Sequence, residues 1–371
     1  MSVLKSHAKN LEYVGIEVVV SKNEGKLVRM NGKLKGNFQL LLVAFIWGAA
    51  YVAQSSGMDY VGPYTYNMVR NVVSFFFLIP VIFIIEYRKD TPGGDVVTNL
   101  ENQALKETLC TEGNSRTESS KNTISLTFWN VIRPNHITLI AGICSGIAFS
   151  VATTFQQVGI TMTTAGKSGF ITALYIIFVP ILSTVLGKKV PKLIWPIVGL
   201  AMIGFYLLCV KEDFSISEGD VLTLVGAIFF SIQIIIIDYF TSEKVDGVKM
   251  AFVQFGTATV VLTPLMFAME SPSIDAIFSA WLTIGYAGIL SGGVASTLQI
   301  VAQKDTEPTI ATLIMSLESV FAVLLGWILL HETLSLKELV GCIIVLIAVI
   351  LVQMPWLSQN TQAGTDNIEE D

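Results

Sequence analysis

Charge is scarce in this chain. Only 14% of its 371 residues are Asp, Glu, Lys or Arg, against 52% hydrophobic, and the mean hydropathy is +0.64. A soluble domain carries about a quarter of its residues as charges, so water is excluded as the solvent for most of this surface. Lipid takes its place. Cysteine is nearly as rare: Cys144, Cys209 and Cys342 fall inside apolar runs and Cys110 in a polar stretch, which argues against a disulfide framework. His7, His136 and His331 stand too far apart in the sequence to build a metal site on His/Cys spacing. Phosphate loops, nucleophile elbows, zinc-protease motifs and dinucleotide fingerprints are missing, so neither a cofactor nor enzymatic chemistry is expected. Without a basic groove interleaved with aromatics, nucleic acid is not an expected partner either. The net charge of -6 reflects in part the acidic tail Asp366, Glu369, Glu370 and Asp371.

What the sequence has in abundance is long apolar runs. They cover 37–56, 64–86, 137–158, 163–186, 191–210, 220–240, 248–268, 278–300, 309–330 and 335–355. Each is close to the roughly 20 residues an α-helix needs to cross the hydrocarbon core. Continuous rather than alternating apolarity excludes a β-barrel. The expected fold is an all-α membrane protein of ten transmembrane helices. Basic residues set the expected orientation, because positive loops resist translocation. Seven Lys or Arg precede the first run, and Arg88 to Arg133, Lys188, Lys189, Lys192, Lys244, Lys249 and Lys304 fall on the same side, leaving Lys211 and Lys337 for the other. Both termini are therefore expected in the cytoplasm, with the chain multi-pass in the cytoplasmic (plasma) membrane. The segment 1–36 lacks the apolar core of a cleaved signal, and Met30, just before Lys33 and Lys35, is an alternative start.

The chain also repeats itself. At an offset of 143, residues 151–186 fall on 294–329 without a gap, with identities that include Val151/Val294, Ala152/Ala295, Thr154/Thr297, Gln156/Gln299, Thr163/Thr306 and Leu174/Leu317. Earlier in each half an offset of 184 pairs Phe45 with Phe229, Val69 with Val253 and Pro80 with Pro264. The polar block of about 88–135 becomes an insertion in the first half, read either as a loop without a role in transport or as a regulatory segment. The expected domains are a segment 1–36, a five-helix repeat over 37–210, a second over 220–355 and a tail over 356–371. An odd helix number per repeat inverts the second copy, and inverted repeats with a site near the midplane mark secondary transporters.

In the last two runs, Ser316-Leu317-Glu318-Ser319-Val320-Phe321-Ala322, Gly326-Trp327 and Leu329 to Ser335 with Gly341 resemble the closing signature of the EamA family of the drug/metabolite transporter superfamily. Trp47-Gly48, Pro63 followed by Arg70, and Ala165 to Phe170 extend the resemblance through the first half. Ser319 stands where the family usually has Pro, and His331 where Gly is common. The resemblance implies a ten-helix carrier of small metabolites, often an exporter of amino acids or related solutes.

Ionisable groups inside a span are costly enough to be functional candidates by default. Glu318 lies about 15 Å into its helix at 1.5 Å per residue, near the midplane, and its repeat-mate is Tyr175. It reads either as a substrate or proton site or as a structural hydrogen bond between helices. Arg70 and Lys167 read as anchors for a carboxylate or phosphate; the competing reading is snorkelling or pairing with Asp59 or each other. Gln156 and Gln299 suit a neutral or zwitterionic solute, and equally a bond between helices. Trp47, Tyr51 and Gln54 line a cavity in one reading and pack in the other. The expected function is a permease moving a small polar metabolite through the lipid bilayer; the alternative is a non-transporting sensor or scaffold. The sequence sets no oligomeric state, and a homodimer is compatible with it.

Overall fold

The computed structural model describes residues 34–90, 131–163, 165–188, 190–209, 217–241, 245–329 and 335–352. The acidic tail and most of the 88–135 insertion lie outside them. Among the described residues every regular element is helical. Their order is α1 Leu34–Gly57, α2 Pro63–Asp90, α3 His136–Gly159, and α4 in two pieces, Ala165–Ala173 and Tyr175–Val185. Then come α5 Ile194–Cys209, α6 Glu218–Thr241, α7 Gly247–Met269 and α8 Trp281–Ala302. The last two are α9, split into Pro308–Met315 and Leu317–Leu329, and α10 Leu336–Val352. Eight of these, α1 to α4 and α6 to α9, are long and apolar enough to cross a membrane; in α5, Ile194–Leu207 is apolar but shorter. The ten apolar runs thus correspond to α1 to α10, with a further short helix, Ile274–Ser279, before α8; eight of the ten reach crossing length within the described residues.

Local chemistry sets the helix starts. Asn135 caps α3 by accepting from the Thr138 amide at 2.7 Å, and Asp246 caps α7 by accepting from Val248 and Lys249. Proline opens α2 at Pro63 and α9 at Pro308, where its missing N–H has no intrahelical acceptor to lose. In lipid the remaining amides must bond within the helix, so the apolar runs have no alternative backbone structure.

Packing follows the repeat. Helix α2 lies on α7 and α5 on α10, each helix against its own repeat-mate; α3 packs on α7 as α8 packs on α2. Two glycines make the last two contacts equivalent. A Cβ on Gly146 would stand 2.7 Å from Thr257 Cβ and 2.8 Å from the Gln254 carbonyl. One on Gly288 would stand 2.6 Å from Val73 Cβ and 2.9 Å from the Arg70 carbonyl. Val73/Thr257 and Arg70/Gln254 are both pairs at offset 184, so Gly146 corresponds to Gly288, at offset 142. Beyond residue 151 the offset is 143. Between these equivalent points α8 therefore holds one residue more than α3, and that residue is absorbed as a π-helical section, Tyr286–Ser296, the form an insertion into an α-helix takes. The sequence reading treated 278–300 as one uniform span. A second adjustment concerns α1 and α6: Thr163 donates to Asp220 Oδ1 at 2.7 Å as Thr306 donates to Asn37 Oδ1 at 3.4 Å. Asn37 thus matches Asp220, and the offset between α1 and α6 is 183 rather than 184.

The α2/α7 pair is tied at both ends by matched positions. At one end Glu270, just past α7, accepts from the amides of Tyr64 and Thr65 at 3.0 and 2.8 Å and from Thr65 Oγ1 at 2.5 Å. At the other, Glu86 accepts from Lys249 Nζ at 2.9 Å. Glu270/Glu86 and Lys249/Thr65 are again pairs at offset 184. The Glu270 carboxylate does for α2 what an N-cap side chain does, satisfying otherwise orphaned amides at the positive end of the helix dipole. Glu270→Ala should cost about 1–2 kcal/mol of stability, read as a lower thermal midpoint of the purified protein in detergent. An unchanged midpoint would remove Glu270 from the clamp.

Candidate functional site

Eight helices, α1 to α4 and α6 to α9, surround one interior cavity with about 650 Å³ of empty space, its open mouth included. Helices α5 and α10 do not reach it; they pair with each other outside.

One wall is polar. Asn67, Arg70, Asn71 and Ser74 follow one another at helical spacing on α2 and all are buried; the last three line the cavity. Arg70, 7% exposed, donates from Nε to Asn67 Oδ1 at 3.0 Å and from Nη1 to Gln54 Oε1 of α1 at 2.9 Å. It neither snorkels outward nor pairs with Asp59. Its described partners are neutral amides, which leaves its positive charge uncompensated by them. Ser74 donates to the Gly288 carbonyl at 2.7 Å and Trp47 Nε1 to the Ser291 carbonyl at 3.2 Å. Both acceptors belong to the π-helical section of α8, which binds α1 and α2 through its backbone.

The same cavity is lined by the pair singled out by the repeat. Tyr175 donates its hydroxyl to Glu318 Oε1 at 3.1 Å; both side chains are 3% exposed. Each sits at an interruption of its own helix, after Leu174 in α4 and two residues past Ser316 in α9. Ser316 turns its hydroxyl back to the Leu313 carbonyl at 2.7 Å, a local bond that competes with the helix ladder. Proline explains neither break directly, since Pro180 lies six residues past Leu174 and the described part of α9 beyond Pro308 has none. Beside the pair, Gln156 donates to Tyr51 Oη at 3.2 Å and to Thr172 Oγ1 at 3.1 Å.

The remaining wall is aromatic. Phe149 meets Phe255 and Phe230 edge-on, with centroids 5.5 and 6.3 Å apart. The site therefore combines an amide-held cation, a carboxyl bonded to a phenol and a cluster of phenyl rings. Such a set suits a small solute with a polar or charged head and an apolar part.

Glu318, Tyr175, Arg70, Gln156, Gln299, Trp47 and Tyr51 all line this cavity. Of the sequence candidates only Lys167 is left out: its backbone lies in the first turn of α4, and its side chain is outside the described residues. Sequence reasoning missed Asn71, Ser74, Thr153, Thr172, Gln233, Ser291 and Ser296. For α2 the signal was present, since polar residues at 67, 70, 71 and 74 share one face of an otherwise apolar helix. Serine and threonine elsewhere gave none, because they bond to their own helix in lipid-facing and cavity-facing positions alike.

The family model of the EamA-like transporter family matches residues 34–99 and 217–354, more than half of the chain. The chain belongs to that family. It is thereby a membrane transporter of the drug/metabolite transporter superfamily and not an enzyme. An Archaeoglobus fulgidus protein described as an uncharacterized transporter is 28% identical over 323 residues, 87% of each chain. A Methanothermobacter thermautotrophicus protein of the same description is 25% identical over 149 residues, 36% of this chain and 42% of its own. A crystal structure superposes with a TM-score of 0.61 at 14% identity, covering 87% of this chain and 96% of that one; it shares the fold.

Within the transporter's cavity, Arg70 is the donor to the buried Gln54 Oε1 and shares Asn67 Oδ1 with Asn71 Nδ2, which reaches it at 3.3 Å. Arg70→Met should lower the thermal midpoint in detergent, chiefly through the Gln54 oxygen left without a donor, which costs about 1–3 kcal/mol. A variant as stable as the parent would show that the Gln54 and Asn67 bonds contribute nothing to the fold.

Proposed function

We propose that the protein is a secondary carrier that exports a small polar metabolite, such as an amino acid or related solute, across the cytoplasmic membrane by alternating access. The two repeats, 37–210 and 220–355, are the units that move against each other, and both termini face the cytoplasm. The observation that carries this reading is the cavity between the halves, where repeat-mates Tyr175 and Glu318 touch in a lining that also holds Arg70. Inverted repeats with interrupted helices at a central site are the architecture of alternating-access carriers.

In this reading Arg70 holds the anionic head of the solute, because a guanidinium with neutral partners still has its charge to offer. Glu318 is the coupling group. A carboxyl in this position exchanges a proton or a cationic group of the solute as the halves rock, and Tyr175 supplies a donor whenever the carboxyl is ionised. Gln156 and Gln299, at the same place in the two halves, contact the polar head, while Phe149, Phe230 and Phe255 contact the apolar part. Lys167 remains a second anion anchor in this proposal.

Proteoliposomes loaded with a panel of radiolabelled amino acids test it. Wild-type protein should release at least one of them faster than empty vesicles, with a rate that changes with pH. Glu318→Gln should abolish this flux or strip it of its pH dependence. Full activity of Glu318→Gln with the wild-type pH profile would overturn the role given to the carboxyl. Direction is read in cells: those making the protein should accumulate the carried solute in the medium.

A further inference from the structure

Arg70 has a counterpart in the second repeat. Offset 184 places Gln254 of α7 at its position, and the glycine contacts make the match structural, since the carbonyl of Arg70 abuts Gly288 as that of Gln254 abuts Gly146. The side chains are also engaged alike. Arg70 reaches from α2 to an amide on α1, Gln54; Gln254 of α7 is bonded to an amide on α6, Gln233, whose Nε2 donates to Gln254 Oε1 at 3.2 Å. Gln54 and Gln233 both line the cavity.

The two differ in what is left over. Gln254 is fully buried, and its Nε2 has no hydrogen-bond partner. A buried donor without an acceptor costs about 1–3 kcal/mol, and native structures keep few of them. Because Gln233 occupies the oxygen, the donor end of the amide is the part left unpaired. The donor is one hydrogen bond removed from the cavity wall and lies in the repeat opposite to Arg70.

We propose that Gln254, oriented by Gln233, forms a second solute subsite, the uncharged counterpart of the Arg70 subsite, which receives the acceptor head of the solute after it leaves Arg70. A guanidinium offers charge and a fork of donors, whereas Gln254 offers neutral N–H groups alone. The solute head is therefore held tightly on the Arg70 side and loosely on the Gln254 side, and the repeat supplies both sites at equivalent positions. This rests on the carrier reading above, and it adds a release site that the cation alone does not provide.

Two measurements on the full-length protein test it. In a background with Cys110, Cys144, Cys209 and Cys342 replaced by Ser, Gln254→Cys should be modified by the hydrophilic anionic reagent 2-sulfonatoethyl methanethiosulfonate in sealed vesicles, and Gln233→Cys likewise. This readout needs no substrate, so it stands even if none of the amino acids is carried. Failure of Gln254→Cys to react in folded, monodisperse protein would overturn the subsite, whatever Gln233→Cys does. Where wild-type flux of a panel amino acid is found, Gln254→Leu should slow its release at least tenfold while KM on the Arg70 side changes less than threefold. An unchanged rate would overturn the subsite and leave the carrier reading intact. Loss of flux with a matching loss of folded protein at Gln254→Leu is separated by Gln254→Asn, which keeps the amide and should retain more flux than Gln254→Leu; equal flux in the two variants would also overturn it.

Discussion

A carboxyl group placed in the middle of a lipid-spanning bundle must be given a donor, and much of the interior of this protein is arranged around that requirement. Leaving such a group without a partner costs several kcal/mol, so Glu318 cannot simply be tolerated by an apolar core. Its partner, the Tyr175 hydroxyl, comes from the same position of the other repeat. The two halves therefore meet through a bond between equivalent residues. Both helices break beside it, at Leu174 and Ser316, which opens the tight α-helical ladder where two inward side chains must face each other.

Duplication supplies symmetry in the packing, and divergence supplies chemistry in the cavity. The α2/α7 clamp, the α3/α7 and α8/α2 crossings and the Thr163–Asp220 and Thr306–Asn37 bonds repeat pairwise. The lining does not. Arg70 corresponds to Gln254 in the other repeat, Asn71 to Phe255, and Tyr175 to Glu318. A symmetric scaffold can present its site to either side of the membrane; an asymmetric lining makes the two presentations chemically different.

Much of this was legible in the sequence, for reasons that can be stated residue by residue. Lipid forces continuous apolar helices, so composition marks the helices to within a few residues, and the offset of 143 pairs Tyr175 with Glu318 by sequence alone. Rare polar residues in apolar runs carried most of the cavity: Arg70, Gln156, Gln299, Trp47 and Tyr51 were visible because each is expensive or unusual where it stands. The π-helical section of α8 was not visible, since one extra residue changes no hydropathy and shows only when Gly146 and Gly288 are seen to make the same contact. The one-residue error between α1 and α6 has the same origin, because apolar runs align almost equally well in neighbouring registers. Glu270 escaped notice because a glutamate after a span reads as a solvated end, whereas its role is fixed by Tyr64 and Thr65, some 200 residues away in the chain.

The central claim is that Tyr175 and Glu318 work as one unit across the repeat interface, and a double-mutant cycle on flux tests it most directly. Tyr175→Phe, Glu318→Gln and the double variant would be compared in proteoliposomes with a solute the wild type carries. A working pair predicts that the double variant loses no more than the more damaging single change, with losses far from additive. Independent losses that add, or a Tyr175→Phe variant with wild-type flux, would contradict it.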